Sequence, residues 1–148
     1  MKKFNVSKNE LMTGKYLIHE DGFISNGAWA INEKYILVRK CLNAEMVTLK
    51  EIGKLENLLL NPAWNTLKDL LMLDRETYKN RIYVEIDNDK PYVKLPVNND
   101  YSVIMSKFDY NRIIKIIPGI EFYHNNKKNN QIQIVLNNEV IGVFVSVC

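Results

Sequence analysis

Few residues in this chain have the type and spacing that catalysis needs. His19 and His124 each end a short apolar run, and neutral imidazole is the commonest transition-metal ligand. A catalytic zinc takes three protein ligands, yet neither histidine has an HxxxH or CxxC partner. The pair therefore reads as structural, and no metal is expected. Cys41 and Cys148 lack metal-ligand spacing and read as free thiols of a reducing compartment. The glycines at 14, 22, 27, 53, 119 and 142 are scattered over turns and strands, so no Gly-rich loop cradles a phosphate. No GxSxG motif is present, and Asp87 and Asp89 sit in a turn, where carboxylates are solvated. The expectation is a non-enzymatic chain with no catalytic residue and no cofactor.

Binding chemistry is better represented. Lys8 lies on one short helix and Lys15 follows its end, while Lys107, Arg112 and Lys115 lie on or just ahead of a second. Opposite an apolar stripe, such cations either face solvent or touch phosphates, each contact adding to a salt-dependent affinity. They are the candidate nucleic-acid contacts. Phe23 and Trp29 flank the turn Asn26-Gly27. Aromatics of this kind are either core residues or the tip of a partner-binding hairpin, where Trp is a frequent hot spot.

The elements that must position these residues follow from local signals. Ser7-Lys8-Asn9-Glu10 is a capping box opening a helix over 7–13, and Gly14 ends it. Strands follow at 16–18, 23–24, 28–31 and 35–38, read as a meander. Thr48-Leu49-Lys50-Glu51 is a second capping box. Asn61-Pro62 then opens a further helix or irregular connection over 63–71, with Trp64 as a core anchor. The second half turns β-rich: 81–86 and 92–97 alternate as a hairpin, and 101–105 is a strand. Tyr110, Ile113, Ile114 and Ile117 then recur at helical spacing over 109–117 until Pro118-Gly119. Strands at 120–123, 131–136 and 140–147 complete the chain, the last two joined at Asn137-Asn138.

A length of 148 residues with 47% apolar and 25% charged residues is that of one ordinary domain, enough to bury about two-thirds of its unfolded surface. The expected class is α+β, a single domain over 1–148. Its first half spans 1–39, a helical connection spans 40–80, and a β-rich second half spans 81–148. The formal charge of +3 permits an anionic partner without demanding one. After Lys2 and Lys3, polar Ser7 to Glu10 stand where a signal peptide would need its apolar stretch, and no run approaches the roughly 20 apolar residues of a membrane span. A cytoplasmic protein is expected.

The two ends of the chain read alike, each as a strand, a helix and three antiparallel strands. At the single offset that separates His19 from His124, Ile31 meets Leu136, Asn32 meets Asn137, Ile36 meets Ile141 and Val38 meets Val143. Both helices follow a hydrophobic-Ser-Lys triplet, Val6-Ser7-Lys8 and Met105-Ser106-Lys107. This order over 1–39 and 101–147 resembles the repeat of DNA sliding clamps, whose domains hold two such units with helices facing duplex DNA. The size and AT-rich residue bias also resemble small accessory proteins of phages and prophages. The resemblance implies an antiparallel sheet of two βαβββ-like units with one or two extra central helices. It also implies Lys8, Lys15, Lys107, Arg112 and Lys115 on the DNA side, and assembly of copies into a ring. The expected role is an accessory one in phage or bacterial DNA transactions. The alternative is an inhibitor or adaptor that binds a host or phage protein through Phe23 and Trp29.

Overall fold

The computed structural model describes residues 4–26, 28–39, 81–114, 117–124 and 131–145. The helices expected within 40–80, with Trp64, lie outside them, as do Lys115 and Gly27. Two short helices and twelve strands are described, and the fold is mostly antiparallel sheet.

The chain opens with β1 (Phe4–Ser7), α1 (Lys8–Met12), β2 (Leu17–His19), β3 (Phe23–Ser25) and β4 (Trp29–Asn32). The capping box forms as the sequence predicts: Ser7 Oγ accepts from the Glu10 N–H at 3.1 Å, and Glu10 Oε1 accepts from the Ser7 N–H at 3.1 Å. These two bonds satisfy amides that a helix start leaves open. Gly14, at φ +76°, takes the left-handed conformation that stops the helix. Asn26 Oδ1 accepts from the Ala28 and Trp29 N–H groups at 2.9 and 3.0 Å, closing the β3–β4 turn.

The expected meander ends at β4. A one-turn 3-10 helix over Glu33–Tyr35 follows, and β5 (Ile36–Arg39) runs parallel to β1, pairing Phe4 with Ile36 and Val6 with Val38. With a helical turn in place of a tight hairpin, the chain is carried off β4 rather than folded back on it.

The run 81–86 also differs from its reading as one strand. β6 (Arg81–Ile82) pairs with β10 (Glu121–His124), and only β7 (Glu85–Ile86) makes the expected hairpin, with β8 (Tyr92–Asn98). β9 (Tyr101–Ser106) completes a three-stranded sheet in the order β7-β8-β9. α2 spans Lys107–Ile114, starting two residues before the expected 109 because Ser106 Oγ caps the Asp109 N–H at 3.1 Å. Ile117 is buried beyond its end. β11 (Gln131–Leu136) and β12 (Glu139–Val145) are joined by Asn137 and Asn138, at φ 50° and 68°. Two successive positive φ angles are what a two-residue hairpin turn requires.

The main sheet runs β2-β3-β4-β12-β11-β10-β6, antiparallel throughout. Its ladders place Ile18, Ile24, Ile31, Gly142, Ile134, Phe122 and Ile82 in one row across all seven strands. The whole row is buried, and its apolar side chains join one core with Leu11 of α1 and with Val93, Leu95, Val103 and Met105 of the three-stranded sheet. Ser25, Ala30, Gln133 and Val143, on the opposite face, are buried as well. All six residues of β11 are buried, so the alternation read there does not mark one wet and one dry face. A bulge at Ile134/Val135 leaves Ile141 as the extra residue of β12, next to Gly142.

Candidate functional site

The two helices meet through side chains far apart in sequence. Arg112, on α2, places Nη1 3.3 Å from Glu10 Oε2 on α1, and the same nitrogen donates to the Tyr16 hydroxyl. Lys15, just past α1, brings Nζ to 3.5 Å from the same Glu10 oxygen. Glu10 thus caps its own helix with one carboxylate oxygen and holds two cations with the other.

Tyr16 carries this contact inward. Its ring is buried and lies 5.7 Å from that of Trp29, tilted by 43°. Burial raises the Tyr16 hydroxyl above its ordinary pKa against the opposing pull of Arg112, so it remains a neutral hydrogen-bonding group. Outward, the Phe108 ring of α2 is 57% exposed. Arg112 Cζ lies 5.3 Å and Lys15 Nζ 5.5 Å from its centroid, within cation–π range.

Glu10 gives this junction a pH dependence. Burial acts to raise its pKa, but the Ser7 N–H and Arg112, by hydrogen bond and by charge, outweigh it and hold the carboxyl at about 2, against an ordinary 4.5. A depressed carboxylate contributes stability that is complete above its unfolded pKa and is lost as pH falls through the folded one. The wild-type chain should therefore lose roughly 1–3 kcal/mol between pH 4.5 and 2 that the Glu10→Gln variant does not lose. Urea titrations of both proteins at pH 5 and pH 2.5 measure this, and parallel losses would show that the junction is not ionic.

The sequence-predicted basic residues separate into groups. Lys15 and Arg112 come together around Phe108. Lys8 is the first residue of α1, and Lys115 lies outside the described residues. Lys107 sits at the opposite end of α2 from Arg112, its Nζ donating to the Asp87 carbonyl in the β7–β8 turn. Beside that turn an open recess of about 210 Å³ is lined by Glu85, Ile86, Asp87, Lys90, Tyr92 and Lys94. It is smaller than most small-molecule sites and mixed in charge.

Phe23 and Trp29 are both buried, Trp29 to 1% exposure. A partner contact through them would need the core opened, and their surroundings agree with the core alternative. His19 Nε2 lies 2.8 Å from Ser25 Oγ in the buried β2–β3 hairpin. His124 is on β10, five strands across the sheet from β2. Among the described residues no group of three His, Cys, Asp or Glu side chains could hold one, and no helix is long and apolar enough to cross a membrane.

Phe108 was missing from the sequence-predicted set. Its signal was present as the i, i+4 spacing to Arg112, a pair that adjoins on a helix surface, but it lay outside the apolar stripe and carried no charge.

The chain matches no family model, no curated protein and no solved structure. Any reading of its role therefore rests on the geometry above.

Proposed function

We propose that this chain is a non-enzymatic accessory protein of phage or bacterial DNA transactions, clamp-like in architecture, which meets nucleic acid on the surface shared by α1 and α2. The observation that carries this reading is the convergence of Lys15, Arg112 and Phe108 on that surface. Two cations, one on α2 and one just past α1, are held there by the Glu10 carboxylate, with Asp109 of α2 close enough to act on the same Tyr16 hydroxyl. The two cations lie beside an exposed ring rather than spread over a solvated helix face.

Support for the clamp-like architecture comes from the strand order. Strands β2-β3-β4 and β10-β11-β12 follow the two helices in turn and lie side by side in one sheet, joined at β4 and β12. In that seam Ala30 faces Val143, with Ile31 opposite Gly142 on one side and Trp29 opposite Phe144 on the other. On either side of that seam the strands succeed one another in the same order, β3 then β2 outward from β4, and β11 then β10 outward from β12. Ser7 and Ser106 cap the corresponding helices.

The test is a salt titration of binding to fluorescent duplex and single-stranded DNA, with solution mass measured on the same sample. Affinity should fall linearly in log–log form, with a slope of about −0.7 to −0.9 per phosphate neutralised, and the mass should be that of a closed oligomer. Lys15→Gln, at an exposed position, should reduce the slope by about one contact. Arg112 is the wrong residue to reverse, because a carboxylate there would face Glu10 in a half-buried site. Absence of binding at low salt, where electrostatic affinity is greatest, would refute the reading.

A further inference from the structure

We infer that Phe108 is a stacking platform for an unpaired nucleobase, so that the ligand of the α1–α2 surface is single-stranded rather than duplex DNA. This rests on the reading that the surface meets nucleic acid, and it names the form of strand and the residue that reads it. A lone exposed apolar side chain is ordinary on a protein surface. What distinguishes Phe108 is its setting. Arg112 and Lys15 stand 5.3 and 5.5 Å from its ring, and Arg112 is fixed from behind by Glu10 and by the buried Tyr16.

Phe108 is itself 57% exposed, so a ligand can reach it. Such a group offers an accessible aromatic ring with two cations over it. A matching ligand must present a flat aromatic face and an anion a few ångströms away, which is the repeating unit of an unpaired strand: base, sugar, phosphate. Single-stranded binding commonly combines aromatic platforms with cations that track the backbone. Duplex DNA offers the same phosphates but keeps its base faces stacked on one another, leaving the ring nothing to hold. Exposed Asn111, one turn along α2 from Phe108, adds an amide able to bond a base edge without fixing its identity.

The experiment compares three probes on the intact chain at fixed low salt: (dT)12, a 12-residue abasic phosphodiester strand of equal charge, and a duplex of the same length. The expected result is that (dT)12 binds about tenfold more tightly than the abasic strand, the gain of one stacked base. Phe108→Ala should abolish that gap, bringing (dT)12 to the affinity of the abasic strand, and its exposed position means that folding is not at stake. Phe108→Trp should restore the gap and show fluorescence quenched by (dT)12 but not by the abasic strand.

Equal binding of (dT)12 and the abasic strand, or an equal loss for both with Phe108→Ala, would overturn the stacking inference while leaving a charge-driven nucleic-acid surface standing. Tighter binding of the duplex than of (dT)12 would also overturn it and favour the encircled-duplex form of the clamp-like reading. Failure of all three probes to bind would remove both readings together.

Discussion

Gly142→Ala is expected to destabilise the fold by about 3 kcal/mol. A Cβ at this position would lie 2.3 Å from the Ala30 carbonyl oxygen, 3.2 Å from Ile31 Cδ1 and 3.3 Å from the Ala30 carbonyl carbon. Backbone atoms in a hydrogen-bonded ladder cannot step aside as the tip of a flexible side chain can. The clash is resolved only by parting β4 from β12, and those two strands are the seam between the two halves of the sheet. Gly14 is the natural control. A Cβ there meets nothing within 4 Å, so Gly14→Ala should cost only about 1 kcal/mol, the strain of an L-residue at positive φ. Urea midpoints of the two variants and the parent measure both effects. A Gly142→Ala midpoint indistinguishable from the parent would mean that β4 and β12 do not approach as described.

Trp29→Ala should be comparably severe, at about 3–5 kcal/mol. The indole is 1% exposed, stands opposite Phe144 in the ladder and packs on Tyr16, the residue that receives Arg112. Its removal would leave a large cavity bordered by strands from both halves, which a sheet held by ladders on either side cannot collapse to fill. For a chain of this size a loss of that order lowers the melting temperature by roughly 10 °C. The same variant separates two roles for the Phe23–Trp29 hairpin. A core residue loses stability on truncation, whereas a contact residue at an exposed tip would lose partner binding and leave the melting temperature where it was.

The parts of the fold legible in the sequence are those with local causes. The Ser7–Glu10 capping box, the glycine stop at Gly14 and the Asn137-Asn138 turn each involve residues within a few positions of one another, and each forms as read. Long-range pairing left no such mark. β5 is a short apolar run like its neighbours, and nothing local distinguishes a parallel partner 32 positions away from an antiparallel one next door; Phe4 faces Ile36. β11 misled by composition, since Gln131 and Gln133 alternate with isoleucines yet are themselves buried.

The constant offset that aligned His19 with His124 is also not the one the ladders use. Ile18 faces Ile24 as His124 faces Ile132, so on the two-unit reading His124 corresponds to Ile18, and loops of unequal length break any single offset. The candidate site was half legible for the same reason. Lys15 and Arg112 stood out by charge, but the Glu10 that gathers them is 102 positions from Arg112, and the ring between them had no charge to announce it.

The most direct test of the central claim is amide chemical-shift mapping during titration of the 15N-labelled chain with (dT)12 at low salt. Shifts should concentrate on Lys15, Phe108, Asn111 and Arg112, with the β7–β8 turn around Asp87 and Lys90 unmoved, and should recede as salt is raised. Shifts confined to the β7–β8 turn, or no shifts anywhere on α1 and α2, would contradict that claim.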